Sequence, residues 1–468
     1  MNKASLWLSP LCLVVIFFAT LMTECTGLQA PALLAVVVLV LFTLLEWKNL
    51  DLTTKIITFI AKGLTLALLL LAQISLHQLS MLSGNVVFFA FFLIALSLLK
   101  EAALTSKSVN LTGLVLLQQH PVRRYALLTF ASHLLGILMS VGAINLLGTM
   151  IQRSLHNDRD TVDVRINNAR QQRMMLAVLR GFCSIPLWAP TSITITLLVT
   201  SIPDLQWIDI IPYGLYLTFT LLLFGIWLDH VQAPKNLRHL VPTISNNLCD
   251  LKVSYPILIV VITLALVSAL MIMATPLRPI AAVLVGAPIV SAAWIFTQYQ
   301  RNHKKLKAVQ LTMKRFSTDI YSRLPLQRSE IVFFCASVLI GRLLLTVLNL
   351  DWFAHQFAYL NISAGLILIL SSWLIFLAAL LFVSPMISVT LMAGALSQLP
   401  SVAHMPVTIA LVMMVTWAVV AGSSPSTTSV RISAKLTDIS AFQMGLQWNG
   451  WYSVLVLLAL DIFIIVLV

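Results

Sequence analysis

Long apolar blocks separated by short polar stretches run the length of the chain. Ile56 to Ile74, Val86 to Leu99, Ile257 to Met273 and Val454 to Val468 are clear cases. About ten such blocks recur, and roughly 20 apolar residues span a bilayer core as a helix. Backbone cannot stay unpaired in lipid, so blocks of this kind predict helices. The pattern predicts an all-α, polytopic membrane protein.

Composition agrees. Of 468 residues, 59% are hydrophobic and 10% are charged, with mean hydropathy +0.97. A soluble domain carries about 25% charged residues, so lipid must cover part of this surface. The net charge of +13 would suggest nucleic acid in a soluble protein. Here the charges sit in loops between apolar blocks, most densely at Arg301 to Arg315 and Arg153 to Arg173. That is the positive-inside pattern, and it argues against a nucleic-acid partner. The five cysteines are scattered, with no Cys-x-x-Cys, and read as small apolar residues. The apolar run Leu6 to Met22 is long for a signal peptide, and Thr23-Glu24-Cys25 is no small-residue cleavage site, so it reads as a retained helix.

Loop charges set an orientation. Lys3 places the N-terminus in the cytoplasm, and Lys48 to Lys55, Lys100 to Arg124, and Lys235, Arg238 and Lys252 lie on the same side. One apolar stretch, Tyr125 to Arg153, joins two basic loops. A single crossing would put five arginines outside. A re-entrant hairpin with its tip at Ser140-Val141-Gly142-Ala143 avoids this. Next, Met174 to Thr200 contains Pro186 and Pro190, which prevent a continuous helix. The order then repeats. Ser363 to Pro400 holds a second tip, Ser384-Pro385-Met386-Ile387-Ser388. Met405 to Thr437 holds a second break, Gly422-Ser423-Ser424-Pro425-Ser426-Thr427-Thr428-Ser429. Charge counting puts the second half in the opposite orientation, giving inverted repeats. Residues 1–85 read as N-terminal transmembrane helices. Residues 86–230 read as the first repeat (hairpin 125–153, broken helix 174–200) and 231–328 as linker helices with a basic cytoplasmic loop. Residues 329–468 read as the second repeat (hairpin 363–400, broken helix 405–437). The reading is an inner-membrane protein with a periplasmic C-terminus.

Paired, interrupted apolar segments at corresponding positions point to a transporter site. Half-helix N-termini suit an anion, and free carbonyls with Ser/Thr hydroxyls suit a small cation. The substrate-binding candidates are Ser140, Gly142, Asn145, Ser184, Thr191, Ser192, Ser384, Ser388, Ser423, Ser424, Ser426, Thr427, Thr428 and Arg431. Isolated small residues of this kind also serve close helix packing. Arg431 lies after the second break and Arg180 precedes the first; each either faces an anion or snorkels to the interface. Arg342 and Asp461 are intramembrane charges. They read as a structural pair, with proton coupling by Asp461 the alternative. His133 reads as a packed residue. No Walker A sequence, metal spacing or catalytic triad is present, which argues against an enzyme.

The order of hairpin, broken helix, linker helices, hairpin and broken helix resembles the ion transporter superfamily. That group includes arsenite efflux pumps, NhaD-type sodium/proton antiporters, citrate carriers and divalent anion/sodium symporters. Met139 to Leu147 looks like the arsenite-pump hairpin pattern Ala-Asn-Asp-Gly-Ala-Ala-Leu-Ile-Leu, and Phe182 to Thr200 is similar to its first broken helix. The resemblance implies a secondary carrier of small anions or ions, often a homodimer, with no cofactor and with Na+ or H+ as coupling ion. Where the arsenite pumps carry Asn-Asp this chain has Ser140-Val141, and the Ser-Asn-Thr motifs of the symporters are missing. The expectation is a secondary active transporter of a small organic or inorganic anion. The alternatives are a cation/proton antiporter and a flippase for a lipid-linked precursor.

Overall fold

The computed structural model describes residues 3–157, 163–233 and 255–468. Lys235, Arg238, Lys252 and Cys249, and Arg159 of the first arginine-rich loop, lie outside the described residues. Every regular element in the described residues is helical, and ten helices are long and apolar enough to cross a bilayer.

The first three helices are α1 (Lys3–Thr26), α2 (Gln29–Glu46) and α3 (Leu52–Leu70). Helix α4 (Leu76–Leu104) packs against α1 and α2. It starts at a capping box, in which Ser75 and Gln78 satisfy each other's backbone N–H. The domain boundary expected at 85/86 thus falls inside a continuous helix. A short helix α5 (Lys107–Leu117) leads into α6 (Pro121–Met139) and α7 (Gly142–Asn157). The chain reverses between them at Ser140-Val141, where Ser140 takes φ 50°. The interruption falls within residues 140–143.

Helix α8 (Val164–Cys183) ends before Pro186, which sits in a single 3-10 turn, Ile185–Leu187. Helix α9 (Ile193–Ser201) then restarts behind Ser192, whose hydroxyl accepts from Thr194 N at 3.3 Å. Next come α10 (Trp207–Gln232), α11 (Tyr255–Ala274), α12 (Pro279–Gln300) and α13 (Lys305–Arg315). A π turn, the single turn α14 (Tyr321–Arg323) and a 3-10 turn lead to α15 (Arg328–Val347), on which α3 packs.

The order then recurs. Helix α16 (Leu350–Tyr359) is short like α5. Helices α17 (Ala364–Leu380) and α18 (Pro385–Leu396) form the second hairpin. Helices α19 (Pro406–Ser423) and α20 (Thr428–Thr437) flank the second break, and α21 (Gly450–Leu467) closes the set. The second turn differs from its expected place. It falls at Leu381 to Ser384, with Phe382 at φ 64°. Pro385 sits at the first position of α18, where its missing N–H costs nothing, so it starts a helix instead of capping a tip.

Packing between the halves is reciprocal. Within each half the first hairpin arm lies on the helix before the break: α6 on α8, and α17 on α19. Across the halves, α9 packs on α18, α20 packs on α7, and α4 packs on α15. Glycines permit the tightest approaches. A Cβ on Gly214 of α10 would collide with the Leu187 carbonyl, and one on Gly445, just before α21, would collide with the Ser423 carbonyl. Each break is thus covered by a glycine from the segment after it.

Candidate functional site

The two breaks meet through one buried polar chain. Arg180 lies in the last turn of α8 and is only 3% exposed, so it does not snorkel. Its Nε donates to Asn449 Oδ1 at 2.8 Å, and Asn449 Nδ2 donates to the Gly422 carbonyl at 3.0 Å. The amide orientation is forced: arginine can only donate and a carbonyl can only accept. Gly422 is in the last turn of α19, so the chain ties the end of one half-helix to the end of the other. Arg180 Nη1 also reaches Tyr125 Oη at 3.0 Å and the Gly225 carbonyl at 3.4 Å. The guanidinium lies over the Tyr452 ring, 4.6 Å from its centroid.

What Arg180 lacks is a counter-charge. No ion pair to it occurs among the described residues. Asp229 of α10 is engaged by Arg173 through two bonds, at 2.9 and 2.7 Å. Arg180 Nη2 has no hydrogen-bond partner. A desolvated cation costs several kcal/mol. A buried cation–π contact returns about 2 kcal/mol, and the negative end of α8 offsets a further part. The remaining charge favours an anion.

Around the first break, most hydroxyls are buried. His133 Nε2 accepts from Trp188 Nε1 at 3.0 Å, which leaves its proton on Nδ1, facing Ser184 Oγ at 2.7 Å. Ser184 in turn donates to the Gly181 carbonyl at 2.8 Å. Ser184 and His133 are therefore pinned to each other, as the packed reading of His133 expects. Thr191 and Thr194 keep buried hydroxyls with no partner.

At the second break most hydroxyls hold the break itself. Ser424 donates to the Ala379 carbonyl of α17 at 2.6 Å and meets Ser426 at 2.8 Å. Thr427 donates to the Ser424 carbonyl at 2.8 Å, and Ser429 donates to Ala421 O. Ser423 turns back to Val419 O at 2.7 Å. Thr428 and Arg431 are different: both are exposed, one turn apart, at the start of α20. Helix α20 packs on α7, where Asn145 is exposed and Gly148 lies against Leu436. Ser140 is exposed at its turn and Gly142 is buried. Ser388 is half-buried, with its hydroxyl 3.5 Å from the Ser384 carbonyl, and the Ser384 hydroxyl has no partner.

The expected Arg342–Asp461 pair does not form. Arg342 Nη2 donates to the Thr200 carbonyl at the end of α9, at 2.7 Å. Asp461 Oδ2 accepts from Trp373 Nε1 at 2.9 Å, and its Oδ1 has no partner. A free carbonyl at the end of a half-helix replaces the carboxylate as the partner of Arg342. Sequence reasoning also missed Asn449, Tyr125 and Tyr452. An Asn-Gly pair at the head of an apolar run was the available signal. Among the described residues, no group of three or more His, Cys, Asp or Glu is placed to hold a metal ion.

No family model matches the chain, and no curated protein matches it. Among solved structures the chain is similar to the Alcanivorax borkumensis YdaH transporter, a crystal structure described as revealing an unusual topology. The likeness is 15% in identity, with a TM-score of 0.49, over 83% of this chain and 87% of that one.

Proposed function

We propose that this polytopic helical membrane protein is a secondary active transporter that moves a small organic or inorganic anion by alternating access. Arg180 carries the reading. It is buried, unpaired with any carboxylate among the described residues, has a free Nη2, and is tied to both breaks through Asn449. Thr428 and Arg431 on α20, and Asn145 on α7, are exposed polar groups on helices that pack on each other and on α8. The repeated order of elements and their reciprocal packing support two inverted repeats, whose rocking would expose the site alternately. The protein sits in the inner membrane with its N-terminus cytoplasmic and its C-terminus periplasmic. Transport is coupled to H+ or Na+. Asp461, with one carboxylate oxygen unbonded, favours H+.

The test is a thermal-shift screen of the purified protein against carboxylates, sulfate and oxyanions, with and without Na+ and across pH. An anion that raises the Tm of the wild type should leave Arg180→Gln unshifted, and the same variant should lose uptake in proteoliposomes. No stabilisation by any anion, or equal stabilisation of Arg180→Gln, would sink the proposal.

A further inference from the structure

A cavity with charged and apolar walls lies away from the breaks. Its volume is about 660 Å³, and it sits where the C-terminal ends of α4 and α12 meet the N-terminal ends of α5 and α11. Two cations on its wall, Lys107 and Arg301, are exposed and have no ion-pair partner among the described residues. Two others are engaged. Arg315 donates to the Glu101 carbonyl at 2.9 Å and to Thr105 Oγ1 at 2.8 Å, and Arg323 pairs with Glu101 at 3.2 Å. Ser108 and Asn302 also line the cavity, as does the Asp319 carboxylate.

The other wall is apolar and continues out of the cavity. Ile259 of α11 lines it, and Ile262, Leu266 and Leu270 come next on the same helix, all exposed. Their spacing of three and four residues makes one continuous stripe. Just past the cavity, α13 exposes Leu306, Val309 and Met313 on one face, and Lys305, Lys307 and Lys314 flank that face. A helix with an exposed apolar stripe between lysines lies in a membrane interface and is drawn to anionic lipid.

We propose that this cavity binds one anionic phospholipid. The phosphate sits between Lys107 and Arg301, and an acyl chain runs along Ile259, Ile262 and Leu266. The juxtaposition of free cations with an apolar track selects a lipid over a soluble phosphate. This assignment stands independently of the transport reading.

The full-length protein is purified in detergent, washed free of lipid, and titrated with phosphatidylglycerol or phosphatidylcholine. Thermal unfolding and native mass spectrometry supply the readouts. Phosphatidylglycerol should raise the Tm and stay bound through mass analysis, while phosphatidylcholine does neither. Replacing both cations (Lys107→Gln with Arg301→Gln) should weaken phosphatidylglycerol binding about 30-fold, equivalent to about 2 kcal/mol at about 1 kcal/mol per basic residue. Ile259→Ser with Ile262→Ser, on the acyl track itself, should weaken it with every charge kept, which serves if the first variant is unstable. Equal effects of the two lipids on the wild type would overturn the proposal. So would inorganic phosphate matching phosphatidylglycerol in the size of its shift.

Discussion

Asn449→Asp is the sharpest probe of the chain between the breaks, because it changes one atom and leaves shape intact. The new carboxylate would stand where Asn449 Oδ1 now accepts from Arg180 Nε at 2.8 Å. Charge centres about 4 Å apart at an effective dielectric near 20 attract by about 4 kcal/mol. The site's net charge falls from one positive unit to zero, and an incoming anion loses an attraction of the same order. At 1.4 kcal/mol per tenfold, affinity should fall by up to about a thousandfold. The second oxygen would face the Gly422 carbonyl, which loses its Nδ2 donor, now at 3.0 Å. Leaving that carbonyl unpaired costs about 1–3 kcal/mol. The gained ion pair offsets this, so thermal unfolding in the absence of ligand should change little. The assay measures anion-dependent Tm shifts and proteoliposome uptake side by side for wild type, Asn449→Asp and Asn449→Leu. The leucine variant loses both hydrogen bonds and should be less stable than the aspartate variant. If Asn449→Asp binds and transports anions like the wild type, Arg180 is not the anion's counter-charge and its proposed role is refuted.

Three further outcomes are expected. Gly445→Ala and Gly214→Ala each drive a methyl into a break carbonyl and should cost about 1–3 kcal/mol or more, whereas Gly450→Ala, with nothing near its Cβ, should be silent in the same unfolding assay. Thr428→Val should abolish uptake while thermal stability holds, because that side chain is exposed at the start of α20; Ser424→Ala should lower stability instead, since its hydroxyl bonds Ala379 O. Asp51 caps α3: burial pushes its carboxyl up, but bonds from Ser329 and Thr54 outweigh this and hold it below the ordinary carboxylate value. Its stabilisation should be complete above about pH 4 and lost as pH falls through the lower folded value. Asp51→Asn should flatten that acid limb in a Tm-against-pH series, and an unchanged limb would refute the assignment.

Much of the architecture was legible in the chain. Apolar block length fixes the spans, since lipid forces backbone groups to pair within each helix. Pro186 and Pro190 mark the first break, and Pro425 lies in the second, because proline removes a donor and blocks the preceding turn. The first tip at Ser140 is expected from small residues between two basic loops. Pro385 misled, because proline both ends and begins helices and the residue type alone does not say which. The hydroxyls of residues 423–429 also read differently in three dimensions. Composition marks them as polar groups in an apolar span. Only their placement shows that Thr427 and Ser429 satisfy carbonyls at the break, that Ser424 ties it to α17 and Ser423 turns back into its own helix, while Thr428 stays exposed.

The sequence by itself thus determined the apolar spans, the first turn and both breaks, because those depend on neighbours a few residues apart. Tertiary structure decided which charges meet. Arg342 finds a carbonyl of α9 in place of Asp461, and Arg180 finds Asn449, 269 positions away. Such partners are set by how half-helices cross, and no local pattern in the chain encodes that crossing.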